Sequence, residues 1–211
     1  RNYLGRGAEV KDVPTAEALR VVKAGLEKAG KLGFMASPVC SNEDLLAGLA
    51  FARDVLKVKS VYVSGRPQGQ GDHFLLTADK NPNRKGLEAI AKAFGLELKA
   101  FAELTQAIDK GEVTTLFGLG AEVPEDAEAF AARAQKLELL VVTATNESKV
   151  TEAAHVVLAA SVHVEDEGSF IQEAGIIQRF RRAYPPKGDS QPHWKWMVEL
   201  SGQLGLKIAA A

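Results

Sequence analysis

At 211 residues, with 46% hydrophobic and 25% charged side chains, the chain has ordinary globular composition, which excludes disorder and supplies one substantial core or two small ones. Lys and Arg total 26 against 27 for Asp and Glu, so no overall positive field draws the protein to nucleic acid or anionic lipid. Cys40 is the single cysteine, which rules out an internal disulfide and the several thiolates of an iron–sulfur cluster or structural zinc, and points to a reducing compartment.

No apolar run approaches the roughly 20 residues that span a bilayer, and the start at Arg1 lacks the apolar core of a signal peptide. A first residue other than Met suggests a processed chain or an excised domain. After Pro14, Thr15 is placed to cap a helix in which Leu19, Val22 and Leu26 share a face, with Gly30 ending it in the left-handed conformation. Leu32 to Ala36 reads as a buried strand. Ser41 caps the next helix, with Asn42, Glu43 and Asp44 at its positive end and Leu45, Leu49, Ala52 and Leu56 as its apolar stripe. The strand Ser60 to Ser64 follows.

Residues 65–72 are rich in Gly, Gln and Pro and form the best candidate boundary between two sub-lobes. Beyond the turn at Asn81-Pro82-Asn83, a helix is expected from Gly86 to Phe94, ended by Gly95, and another from Phe101 to Lys110, stopped by Gly111. Val113 to Phe117 reads as a buried strand. Pro124 fits a first helical position, with Ala127, Phe130, Ala131 and Ala134 facing inward. Leu139 to Thr143 and His155 to Leu158 are the next strands. Phe170 to Gln172 and Ile176 to Gln178, around Glu173-Ala174-Gly175, predict a hairpin. Gln191 to Leu204 closes the chain as a helix burying Met197, Leu200 and Leu204, and only one of Trp194 and Trp196 can face the core.

The strands lack period-two alternation and are separated by helices. That pattern predicts an α/β fold, a doubly wound, mainly parallel sheet with helices on both faces, plus a C-terminal hairpin and closing helix.

Few residues suggest chemistry. Gly118-Leu119-Gly120 follows a strand, as a dinucleotide-binding loop would, but Val123 fills the third glycine position and Glu122, Glu125 and Asp126 would repel phosphate, so a simple turn is the preferred reading. Ser37 to Glu43 is a strand-to-helix loop that can hold a polar ligand, although helix capping accounts for the same residues. Cys40 has no base nearby to activate it and reads as a small buried residue. His73, His155, His163 and His193 lie outside metal-ligand spacing and read as packed or surface residues. Arg179, Arg181 and Arg182 form the one notable basic run; an anion or partner site and a solvated strand face remain equal readings.

The ordered segments resemble the molybdopterin oxidoreductase superfamily, and within it the homologous domain of the large iron–sulfur subunit of NADH:quinone oxidoreductase, respiratory complex I. Ser37-Pro38-Val39-Cys40-Ser41-Asn42-Glu43 is similar to the family's Ser-Pro-x-x-(Ser/Thr)-Asn-Glu stretch. Ala78 to Asn83 followed by Gly86 is similar to a stretch of the complex I branch. From Leu137 onward the series His155 to Ser161, Glu165-x-x-Gly168-Ser169-Phe170, Gly175-x-x-Gln178-Arg179-Phe180 and Trp194 is the most specific part. Departures accompany the matches. The molybdenum-binding Cys, selenocysteine or Ser expected after Ser64 is absent from Gly65 to Gln70; His155 replaces the common Asp, and Ala160-Ser161 replaces a Pro-containing strand end.

The resemblance implies a non-catalytic structural domain of the peripheral arm of complex I. No catalytic, cofactor-binding or metal residue is expected, and iron–sulfur clusters belong to sequence outside this chain. Its partners would be other domains of the same subunit and other complex I subunits, at the cytoplasmic face of the membrane without insertion. The alternative is a molybdopterin-guanine-dinucleotide-binding domain of an active molybdenum oxidoreductase, with Ser37, Asn42, Gly118, Gly120, Asn146 and Glu147 lining the cleft. A further alternative is a small-molecule-binding α/β domain.

Overall fold

The computed structural model describes residues 1–6, 10–72 and 74–206, so His73 lies outside the described residues. Two short strands, β1 (Asn2–Leu4) and β2 (Lys11–Val13), precede α1 (Thr15–Lys28) and β3 (Leu32–Ala36). Next come α2 (Asn42–Ala50), a π-helical turn (Phe51–Val55), β4 (Ser60–Val63), α3 (Arg84–Phe94) and β5 (Glu97–Lys99). The second half runs α4 (Phe101–Asp109), β6 (Thr115–Leu119), α5 (Ala127–Ala134), β7 (Leu139–Ala144), α6 (Lys149–Ala153) and β8 (Val156–Ala159). A hairpin, β9 (Gly168–Ile171) and β10 (Ile177–Phe180), and α7 (His193–Gln203) complete it.

The main sheet has the order β2-β1-β8-β7-β6-β3-β4-β5. All neighbours from β8 to β5 are parallel, while β1 adds antiparallel to β8 and β2 antiparallel to β1. The mainly parallel, helix-covered sheet is the fold the sequence pattern predicts. Its physical basis is visible within single strands. Phe34, Phe117, Val141 and Val156 belong to one core and their chain neighbours Met35, Leu116, Val142 and Val157 to the other. Side chains of a strand point alternately to opposite faces, and here both faces are covered, so apolar residues follow one another along the strands and no alternation survives.

Helices α1, α2, α3 and α7 cover the first face through Leu19, Val22, Leu45, Leu49, Leu87, Trp196 and Leu200. Helices α4, α5 and α6 cover the second through Leu104, Ile108, Phe130, Ala134 and Val150. Phe34 and Phe51 both pack on Phe117, with ring centroids 5.7 and 5.4 Å apart. All three rings are fully buried, and each such burial contributes about 2–3 kcal/mol. Trp196 is the core tryptophan, its indole N–H donating to Ala159 O at 2.9 Å, while Trp194 is half-buried.

Several boundaries differ from the sequence expectation. Pro14, not Thr15, caps α1, because the Thr15 hydroxyl accepts the Asn2 amide instead. Helix α1 ends at Ala29 in an extended conformation, its N–H bonded to Leu26 O, so Gly30 needs no left-handed turn. Asp126 starts α5 by accepting the N–H groups of Glu128 and Ala129, which leaves Pro124 ahead of the helix. β6 begins at Thr115, two residues later than expected, and carries Gly118 inside the strand. Gly95 and Gly111 do adopt positive φ, +67° and +65°, after α3 and α4, and Ser41 caps α2 in a reciprocal box with Asp44.

Candidate functional site

The chain winds outward from β3 to β4 and β5, then returns across β3 to lay down β6, β7 and β8 on its other side. The loops leaving β3 and β6 therefore diverge, and open α/β sheets carry their ligand crevice at such a reversal, outside the carboxyl ends of the strands. A crevice of about 420 Å³ lies there, lined among others by Cys40, Asp44, Arg66, Glu122, Asp166 and His193.

The loop after β3 is tied down from within. Ser37 is fully buried, its N–H donating to Leu119 O at 2.9 Å, and its carbonyl accepts Cys40 N–H at 3.1 Å. Asp44 Oδ2 accepts both Ser41 N–H and Ser41 Oγ–H, at 3.1 and 2.7 Å, and Asp44 Oδ1 accepts Trp194 N–H at 2.9 Å. One carboxylate, 4% exposed, thus occupies the amino ends of both α2 and α7, where partial positive charge would otherwise attract a ligand anion. Cys40 sits beside it, and burial, reinforced by Asp44 and Glu122, pushes its thiol well above the ordinary range. It is an inert buried thiol.

The loop after β6 turns at Gly120, where φ is +89° and a β-carbon would lie 2.8 Å from Ser37 Cβ. Its N–H donates to the buried Thr143 hydroxyl at 3.0 Å. Thr143 Oγ in turn lies 2.7 Å from His193 Nδ1 and 3.4 Å from Gly118 O. Asp166, 8% exposed, accepts Glu167 N–H at 2.7 Å and Ser161 Oγ–H at 3.4 Å. Burial, with Asp44 close by, raises its carboxyl to about 6.

Of the residues named for a cofactor cleft, Asn146 lines the crevice, while Ser37 and Gly120 pack against each other at the loop bases. Gly118 lies within β6, where a β-carbon would meet Met35 Cε at 2.5 Å, so it serves sheet packing. Asn42 turns toward the hairpin, donating to Ser169 Oγ at 3.1 Å, and Glu147 accepts the Tyr3 hydroxyl at 3.2 Å. Sequence reasoning does not find Thr143, Asp166 and His193. They stand far apart in sequence, and only the buried setting of each polar group singles them out. Arg66, His163 and His193 line the crevice, but three carboxylates, Asp44, Glu122 and Asp166, stand around the same space, which suits a neutral or cationic group better than a polyanion.

Comparison with known proteins gives the family. Over 122 residues the chain is 34% identical to "NADPH-Fe(3+) oxidoreductase subunit alpha" of Geobacter sulfurreducens, covering 54% of this chain and 14% of that protein. It is 32% identical over 106 residues to "Probable oxidoreductase YjgC" of Bacillus subtilis, covering 49% of this chain and 11% of that one. The matches thus span a small fraction of the relatives' own length. A chain of the formyltransferase/hydrolase complex (FhcABCD) from Methylorubrum extorquens, solved with methylofuran, superposes with a TM-score of 0.55 at 10% identity, covering 97% of this chain and 98% of that chain, and so shares the fold. The family described as Molybdopterin oxidoreductase matches residues 66–203. That stretch takes in β6, β7, β8, the hairpin and α7, and with it the chain belongs to the molybdopterin oxidoreductase family.

Proposed function

We propose that this chain is a non-catalytic structural domain of the peripheral arm of an NADH:quinone oxidoreductase, in which the crevice typical of the family no longer accepts a pterin dinucleotide. The observation that carries the reading is Asp44. Its carboxylate fills the position at the amino ends of α2 and α7 where a pyrophosphate would need open N–H donors. Glu122 and Asp166 add further negative charge around the crevice, with Arg66, His163 and His193 also on its lining. The donor set therefore does not fit a pyrophosphate-bearing cofactor, and no reaction step runs through one. The domain's contribution is a rigid sheet that packs against cluster-bearing domains of the same subunit and against neighbouring subunits on the cytoplasmic side of the membrane. Among the described residues no helix is long and apolar enough to cross a membrane.

Three measurements on the full-length protein test this. Elemental analysis is expected to find no stoichiometric molybdenum, and titration calorimetry with GDP no heat of binding. In native gels of solubilised membranes the protein is expected to migrate with NADH dehydrogenase activity. Bound molybdenum would instead support the second reading, a cofactor-binding domain of an active molybdenum oxidoreductase. One observation favours that reading: Ser64 Oγ, at the carboxyl end of β4, is buried without a hydrogen-bond partner. Migration apart from NADH dehydrogenase activity would remove the complex I assignment while leaving the family intact.

A further inference from the structure

The hairpin presents a surface that the crevice does not use and on which the function proposed above does not depend. β9 lies between β10 and the amino end of α2. Its outward N–H groups are taken up inside the chain: Ser169 N–H donates to Glu43 Oε2 and Ile171 N–H to Asn83 Oδ1, each at 2.8 Å. In an antiparallel ladder, residues whose N–H points away from the neighbouring strand belong to non-hydrogen-bonded pairs, and their opposite residues share that orientation. Those opposite residues are Arg179, facing Ser169, and Ile177, facing Ile171. Both therefore turn their N–H and C=O groups to the far side of β10. No described strand pairs there, so β10 is an open edge able to template another strand.

The side chains along this edge specify what would fit. Ile177 is 63% exposed and, with Leu46, Ile90 and Ile171, lines a groove of about 730 Å³ between the hairpin and helices α2 and α3. Arg179 and Arg181 stand on its rim and Arg182 follows. Among the described residues none of the three forms an ion pair. Glu43 is occupied by the Ser169 N–H and hydroxyl, which leaves Glu167 as the groove's other carboxylate. A second copy of β10 would bring two arginine clusters together and is disfavoured by like charge.

We infer that β10 receives an extended acidic segment of a partner protein as a third strand. The added backbone bonds to Ile177 and Arg179, its carboxylates meet the arginines, and its apolar side chains enter the groove. Main-chain bonding supplies affinity and the charged rim supplies selectivity.

The test uses the full-length protein and a fluorescein-labelled peptide of about ten residues in which Val and Glu take turns at every second position with Ser between them, because Ile177 and Arg179 share one face of β10, with a peptide carrying Lys in place of Glu as control. Fluorescence anisotropy is expected to show the acidic peptide binding at least about tenfold more tightly than the basic one, and losing that margin in R179E/R181E. Hydrogen exchange is expected to show new protection at the Ile177 and Arg179 amides but not at Gln178 and Phe180, which already face β9. Arg179→Pro removes an outward N–H from an edge strand, where proline is tolerated; it is expected to weaken binding with an unchanged circular dichroism spectrum. Equal affinity for the two peptides, protection without alternation, no binding of the acidic peptide at millimolar concentration, or protection of Ile177 and Arg179 before peptide is added would each overturn the inference.

Discussion

Replacing Asp166 by Asn is expected to make stability rise more steeply with pH, between about pH 4 and 6, than it does in the wild type. Burial, with Asp44 beside it, holds the Asp166 carboxyl up at about 6, against roughly 3.9 for an unfolded chain. Between those values the folded state binds more protons than the unfolded one, so the Asp166 contribution is full at the acid end and is lost as pH rises. His155 acts in the opposite sense. Burial, aided by the Arg6 charge, presses its ring down to about 4, below the roughly 6.5 of a free imidazole. Its neutral Nδ1 accepts Leu140 N–H at 2.8 Å, and its contribution is lost as pH falls through the same window.

A shift of about two units corresponds to roughly 3 kcal/mol, and about 2 kcal/mol is a fairer figure for groups that solvent still reaches. The two contributions therefore nearly offset each other. Urea unfolding of the wild type, Asp166→Asn and His155→Gln across this window separates them, since every other carboxylate is common to all three. Relative to the wild type, Asp166→Asn is expected to gain about 2 kcal/mol from the acid to the neutral end and His155→Gln to lose a similar amount. An Asp166→Asn profile parallel to the wild type would refute the burial assigned to this carboxyl.

Ser41→Ala removes the acceptor for Asp44 N–H and a donor to the buried Asp44 carboxylate; a loss of about 1–2 kcal/mol is expected from the urea midpoint, and an unchanged midpoint would show that the box does not hold α2. Gly120→Ala places a methyl group 2.8 Å from Ser37 Cβ at a φ of +89°; it is expected to cost about 1–3 kcal/mol in the same assay, because both the backbone and the contact are strained.

Much of the architecture was legible in the chain. Leu139 to Ala144 announces a doubly covered strand because the run of Leu, Val and Thr leaves no polar face for solvent. Ser41 with Asp44 announces the start of α2, and Gly175, at a φ of +81°, marks the turn of the hairpin. The signals that failed were local ones overruled by distant partners. Thr15 looked like a cap, but Asn2 claims its hydroxyl. β1 and β2 are three residues each, too short to show a pattern, and exist because β8 offers β1 an edge.

For the site the division is sharper. The acidic residues after Gly120 already argued against phosphate binding, since charge type can be read from residue identity and helix polarity alone. That Thr143 meets His193 beneath a crevice that His193 and Asp166 line, or that Asp44 serves two helices, could not be read so, because these contacts join residues 50 and 150 positions apart that only the folded sheet brings together. The sequence by itself determined which segments are apolar on every side and hence the layered α/β class. Only the tertiary structure decided which polar groups are buried together, because burial and dielectric are properties of packing and not of the residues taken one at a time.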